Sequence, residues 1–280
     1  MNTNKNKSRT LINLIGLPSV LFIVYQGGIL FQLFVCIVMF LAIKEFSELM
    51  EIKDYSVNRM FLYSFILIFI FSNSPSIIEP FEIKSIFQYP AFILVIYILI
   101  LFVWEIFRSK KNPLENVSLS IFALIWIILC LNFLYCIRNF HIQGFAFTLC
   151  MLLSVWSCDS AAFFFGSKFG EKKILPNISP NKTWVGTISG FLFSIFSVLI
   201  FSYFIPELKL NCYDILVLGS IFGIVGQLGD FFESKIKREL GVKDSGTILQ
   251  GHGGILDRFD SLFFVIPAFY FYLIFRFPIF

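Results

Sequence analysis

Apolar runs, several of them long enough to cross a hydrocarbon core, alternate with short polar breaks along this chain. Nine runs stand out, near residues 11–26, 28–46, 58–73, 86–107, 117–137, 143–165, 186–206, 213–229 and 261–279. A helix needs about 20 apolar residues to cross a hydrocarbon core ~30 Å thick, and most of these runs approach that length. The pattern therefore predicts an all-α, polytopic integral membrane protein with about nine transmembrane helices. Only Gln26-Gly27-Gly28 separates the first two runs, which predicts a tight hairpin. No small-residue cleavage site follows the first run, so it reads as a span and not as a removable leader.

Composition agrees with this class. Hydrophobic residues make up 58% of the 280 positions and charged residues 14%, and the mean hydropathy is +0.83. The 39 phenylalanines read as lipid-facing or helix-packing bulk. Charge sets the orientation. With the N-terminus placed in the cytoplasm, Lys84, Arg138, Lys209 and Arg276 fall outside and the other eighteen of the 22 basic residues fall inside. That bias predicts a cytoplasmic N-terminus, an external C-terminus and a multi-pass protein of the cell membrane, its polar loops and active site at the cytoplasmic face. It also accounts for the net charge of +4, which implies no nucleic-acid partner. The six cysteines (36, 130, 136, 150, 158 and 212) lie mostly in apolar runs without metal-like spacing and read as buried free thiols. With His141 and His252 the whole histidine complement, a histidine-rich metal site is excluded.

The two halves differ. Residues 1–140 read as a transmembrane scaffold with short inside loops, and Glu45, Glu48, Glu51 and Asp54 read as a solvated helix end. Residues 141–280 read as a catalytic region whose cytoplasmic loops fill with Gly, Ser, Pro, Asp and Lys. Chemistry is expected between about 155 and 260.

Asp159 lies within the sixth run, flanked by Ser157, Ser160, Ala161, Ala162 and Gly166. A carboxylate inside a span costs ~2.5–3.5 kcal/mol at the helix centre and less near an interface, so its presence favours function over tolerance. Ser179, Lys182 and Thr183 precede the seventh run; they offer hydroxyls and an ammonium to a phosphate, and a capping turn explains them equally well. Gly219, Gly223, Gly226 and Gly229 in the eighth run read as a close helix-packing face. At its end Asp230, Glu233 and Ser234 share one helical face, and two carboxylates so close need a cation or basic partner. Lys237, Arg238 and Lys243 follow, so an internal salt-bridge cluster competes with a ligand site there. Then Gly251-His252-Gly253-Gly254-Ile255-Leu256-Asp257-Arg258-Phe259-Asp260 leads into the ninth run. Glycines allow close backbone approach, and Mg²⁺ commonly takes one or two carboxylates plus substrate phosphates. With the last two runs adjacent, Asp230 and Asp257 would close one metal site, with Lys and Arg on the remaining phosphate oxygens. That arrangement suits phosphoryl or nucleotidyl transfer.

At these residues the chain resembles the phosphatidate cytidylyltransferases. The resemblance rests on Ser234, Lys237-Arg238, Lys243-Asp244, His252-Gly253-Gly254, Ile255, Asp257-Arg258 and Asp260, all at the family's spacing. It extends to Gly229-Asp230 and Glu233, to Asp159 through Gly170, and to Ser179-Pro180 through Lys182-Thr183-Trp184 to Gly186. Gln250 stands where the family has Pro or Gly, and Val185 where it has Glu or Gln. The resemblance implies CTP and phosphatidate as substrates, Mg²⁺ as cofactor, a monovalent cation such as K⁺, and a homodimer. It implies catalytic roles for Asp230, Asp257, Lys237, Arg238, Arg258 and His252. It implies substrate contacts for Asp159, Ser179, Lys182, Thr183, Glu233, Ser234, Lys243, Asp244, Gly253, Gly254 and Asp260. Two other readings stay open at this point: a CTP-dependent kinase or cytidylyltransferase acting on an isoprenoid alcohol or ether lipid, and a cation-coupled transporter. The transporter is disfavoured because the acidic motifs cluster at one face and no paired broken helices suggest an inverted repeat.

Overall fold

The computed structural model describes residues 16–72, 90–246 and 253–277. Both chain ends, Gln250 and His252 lie outside the described residues. Among those described, the chain is all-helical apart from one isolated antiparallel bridge, Lys173 to Thr183. We number the helices α1 (Gly16–Gln26), α2 (Gly28–Glu51), α3 (Arg59–Ser72), α4 (Pro90–Phe107), α5 (Pro113–Arg138), α6 (Gly144–Phe169), α7 (Trp184–Phe204), α8 (Cys212–Glu239) and α9 (Leu256–Arg276). Six of them, α2 and α5 to α9, are long and apolar enough to cross a membrane; α1, α3 and α4 contribute shorter apolar stretches. The chain is thus a multi-helix membrane protein, as its hydropathy pattern predicts.

It divides into two compact units, one made of Met1–Phe31 with Phe133–Phe280, the other of Gln32–Asn132. In the second unit Glu45 departs from the expected solvated helix end. Glu48, Glu51 and Asp54 are exposed, but Glu45 is fully buried. It lies one helical turn deeper along α2, where packing against neighbours replaces water.

In the first unit the predicted hairpin is present, with Gly27 and Gly28 at φ of 64° and 55°, the left-handed region that glycine enters without a Cβ penalty. Arg138 closes it, donating from Nε to the Val24 carbonyl at 2.6 Å and from Nη2 to the Tyr25 carbonyl at 2.9 Å. The glycine ladder of α8 does pack against neighbouring helices. A Cβ on Gly219 would fall 2.4 Å from Ile195, and one on Gly229 only 2.5 Å from the Asp260 carbonyl. This second contact lets α8 close on α9 beside their acidic residues. Within α8, Ile221–Val225 forms a π-helical turn, a local widening often found near functional sites. Cys212, unlike the other five free thiols, is exposed at the start of α8 and does not fit the expectation of burial.

Helix ends also differ from the hydropathy boundaries. The eighth apolar run ends at 229, but the helix continues to Glu239, so Asp230, Glu233, Ser234, Lys237 and Arg238 all lie on α8. Likewise α9 begins at Leu256 and carries both Asp257 and Asp260 in its first turns.

A candidate active site between four helices

Four helices and one loop of the first unit enclose a cavity of about 590 Å³. From the sequence-derived set it is lined by Asp159, Ser179, Lys182, Thr183, Asp230, Asp257, Arg258 and Asp260. Asp159 comes from the second half of α6, Asp230 from α8, and Asp257, Arg258 and Asp260 from the start of α9.

The loop between α6 and α7 is folded back on itself. Ile174 N–H donates to the Lys182 carbonyl at 3.2 Å and Trp184 N–H to the Lys172 carbonyl at 3.1 Å. Thr183 is the N-cap of α7, and its hydroxyl accepts from Gly186 N–H at 3.2 Å. Its capping role is therefore present even though it also faces the cavity. This turn directs Lys182 inward, where Nζ meets the Asp230 carboxylate at 2.5 Å and lies 5.7 Å from the centre of the Phe231 ring. Burial works against the Lys182 ammonium, but the Asp230 carboxylate, with Asp159 and Asp260 behind it, outweighs that cost and raises its pKa above the usual lysine value. Lys182 is charged at any physiological pH.

Asp257 is held differently. Its carboxylate accepts from Lys237 Nζ at 2.6 Å, from Gly254 N–H at 2.8 Å and from Ser245 N–H at 3.0 Å. Gly253 makes this wrap possible: its φ is 81°, and a Cβ there would sit 2.6 Å from Asp257 Oδ2. The Gly253-Gly254 pair thus grips a carboxylate of its own chain. Behind Asp257, Lys237 also meets Glu233 at 3.3 Å. Glu233 is 2% exposed and does not line the cavity. Ser234 donates to Asp230 at 3.4 Å.

The remaining motif residues stand apart. Arg238 donates from Nε to the Ile178 carbonyl at 3.2 Å and from Nη1 to the Val242 carbonyl at 2.9 Å, which ties the end of α8 to the α6–α7 loop. Lys243 and Asp244 are exposed and are not among the cavity-lining residues. Conversely, Lys173, Asn181, Thr187 and Trp156 line the cavity without having been singled out. Lys173 was legible only as one of many inside lysines and Asn181 only as a position within the stretch 179–186; Thr187 and Trp156 carry no signal outside their tertiary setting.

Five carboxylates (Asp159, Asp230, Glu233, Asp257 and Asp260) therefore lie around two ammonium groups, Lys182 facing the cavity and Lys237 behind Asp257, with Lys173 and Arg258 exposed on the cavity wall. Like charges held this close repel unless cations intervene. Among the described residues no three Asp, Glu, His or Cys side chains converge into a complete metal cage. The donor set fits a hard divalent cation that shares its coordination between a carboxylate or two and phosphate oxygens.

Comparison with known proteins agrees with this chemistry. Residues 7–275 match the model of the cytidylyltransferase family. The phosphatidate cytidylyltransferase of Staphylococcus haemolyticus is 34% identical over 93% of this chain and 96% of its own length. That of Staphylococcus saprophyticus is 33% identical over the same shares, and that of Staphylococcus aureus strain COL is 34% identical. A family match over nearly the whole length, relatives of the same size named for nucleotidyl transfer, and a run of helices apolar enough to cross a membrane lead to the same assignment: this chain is a membrane-embedded enzyme of the cytidylyltransferase family.

Proposed function

We propose that this enzyme transfers the cytidylyl group of CTP to phosphatidate, giving CDP-diacylglycerol and pyrophosphate. One observation carries the reading: the cavity gathers carboxylates and lysines from α6, α8, α9 and the α6–α7 loop into one chamber within membrane-spanning helices. A lipid phosphate and a nucleotide triphosphate both need such a place, since one substrate is confined to the bilayer and the other to water.

In the reaction an oxygen of the lipid phosphate bonds to the α-phosphorus of CTP. The bond from that phosphorus to the α–β bridging oxygen breaks, and the electron pair leaves with pyrophosphate. The attacking phosphate is already ionised near neutral pH, so no strong general base is needed. Positioning and charge neutralisation carry the rate. Lys182, fixed by Asp230, would hold phosphate oxygens at the inner wall, and Lys173 and Arg258 would hold them near the opening. Asp230 and Asp257 would hold Mg²⁺, with Asp159 and Asp260 adding negative charge around it. Bound there, the ion would neutralise the phosphates and polarise the α-phosphorus. Lys237 and Glu233 keep the Asp257 carboxylate in place from behind.

All nine apolar helices would cross the bilayer, with the N-terminus and the cavity mouth cytoplasmic and the C-terminus external. We place the enzyme in the cell membrane, as a homodimer.

Purified protein supplied with phosphatidate, Mg²⁺ and each of the four ribonucleoside triphosphates in turn should release pyrophosphate with CTP well above the others. Equal turnover of ATP would remove the base assignment. Release of CDP with phosphorylation of a lipid alcohol would replace the proposed reaction with a kinase.

A further inference from the structure

The second unit has a cavity of its own, about 490 Å³, lined by Glu51, Asp54, Tyr55, Ser56, Lys110 and Lys111. It lies between two loops, residues 52–58 after α2 and residues 108–112 between α4 and α5. Neither loop is loosely placed. Arg108 donates from Nη1 to the Ser56 carbonyl at 2.7 Å and from Nη2 to the Ser56 hydroxyl at 2.6 Å. Asn116, fully buried, accepts from Ser56 N–H at 2.7 Å and donates to the Lys111 carbonyl at 2.7 Å. These bonds fix the walls while using none of the charged side chains that face the space.

Those side chains are of opposite sign on opposite walls. Lys110 and Lys111 stand on one loop; Asp54 stands on the other, beside Glu51, whose carboxylate is already engaged by Arg59 at 2.6 Å. Among the described residues Asp54 forms no ion pair with either lysine. Opposite charges thus line one cavity without being paired to each other, on loops whose backbones are held in place. A simple anion would satisfy the lysines and be repelled by Asp54; a simple cation would meet the reverse. A ligand with both signs a few ångströms apart satisfies both walls.

The surroundings say where that ligand comes from. Ile106 and Phe107, immediately before Arg108, are 78% and 81% exposed, and Leu114 just after the loop is 75% exposed. Such an abrupt change from exposed apolar side chains to charge marks the level at which hydrocarbon gives way to headgroups.

We propose that this cavity is a second lipid site that holds a zwitterionic phospholipid headgroup of the phosphatidylethanolamine type. Its phosphate lies on Lys110 and Lys111, its ammonium on Asp54, and its acyl chains along Ile106, Phe107 and Leu114. Phosphatidate, which has no ammonium, does not suit this site. The inference rests on the second unit alone and is independent of the reaction proposed above.

Native mass spectrometry of the delipidated full-length protein in detergent tests it. Short-chain phosphatidylethanolamine, short-chain phosphatidylglycerol and soluble phosphoethanolamine are offered at equal concentration. Phosphatidylethanolamine should be retained over phosphatidylglycerol, and phosphoethanolamine should compete with it. Asp54→Asn should weaken retention about tenfold, the scale of one charge-assisted contact, and Lys110→Gln with Lys111→Gln, which removes two, at least as much. All three positions are exposed, and Asn tolerates the left-handed φ of 61° at Asp54, so melting temperatures should not change. Equal retention of the two lipids by the unmodified protein, or undiminished retention by the variants, would overturn the proposal. Binding of phosphoethanolamine without retention of lipid would overturn the lipid assignment.

Discussion

The Asp257 carboxylate serves its own backbone before it serves any ligand. A carboxylate has about four lone-pair sites, and here Lys237, Gly254 N–H and Ser245 N–H already approach it. Asp230 is engaged more lightly, by Lys182 and by the Ser234 hydroxyl at 3.4 Å. The two residues proposed as metal ligands should therefore respond differently to loss of charge. Asp230→Asn and Asp257→Asn should each lower Mg²⁺-dependent turnover on the order of 10²-fold, about 2.7 kcal/mol of transition-state stabilisation. Only Asp257→Asn should also destabilise the fold, by about 1–3 kcal/mol, because the amide turns an N–H group toward donors that need an acceptor. Specific activity against Mg²⁺ concentration, measured beside detergent melting curves, separates the two effects. Near-normal activity per folded molecule in either variant would remove that residue from the site.

At the scale of the element, α8 explains why the cavity sits where it does. Its 28 residues span about 42 Å at 1.5 Å each, which exceeds a ~30 Å hydrocarbon core. If the apolar part of α8 fills that core, the last turns, which carry Asp230 through Arg238, extend beyond it. Hydropathy placed the end of this run at 229 because it reads side chains. The helix ignores that boundary, since its backbone bonds continue through polar residues as readily as apolar ones. The π-helical turn at Ile221–Val225 was not legible at all; it contains Gly223, which packs against Phe191 and Ser194 in a tertiary contact that hydropathy does not report. The far end of α8 is anchored to α9 by Asp214, which is fully buried. It accepts from Tyr272 OH at 2.5 Å, from Arg276 Nε at 2.8 Å and from Arg276 Nη2 at 3.2 Å, and its other contact completes a capping box with Asn211. Asp214→Asn should lower the detergent melting temperature, because it removes the charge that strengthens the bonds from Tyr272 and Arg276. A detergent melting temperature equal to that of the unmodified protein would show that the anchor does not hold the two helices.

For the whole molecule, the apolar runs located the helices well because length and continuity are all that a bilayer requires of them. The cavity was half legible. Asp159, Lys182, Asp230, Asp257 and Asp260 were visible as charges at the edge of apolar runs, where a charge is costly and needs a reason. The displacement of Arg238 and Lys243 from the cavity was not visible, and neither was the second cavity, because loop closure by Arg108 and Asn116 joins residues about 50 to 60 positions apart. Orientation rests on charge alone, and the chain supplies its own reporter for it. Cys212 is exposed at the start of α8, and Asp244 is exposed just beyond its other end, so the two positions flank a single candidate span. If the basic bias sets the topology, a membrane-impermeant maleimide applied to intact cells should label Cys212. In a Cys212→Ser background, Asp244→Cys should react only after permeabilisation. The other five cysteines are buried or half-buried and should give little signal in either case. Asp244→Cys lies outside the cavity lining, so catalytic activity verifies that the labelled protein is correctly inserted. Labelling of Asp244→Cys from outside in an active variant would invert the proposed topology and put the cavity mouth on the face that CTP cannot reach.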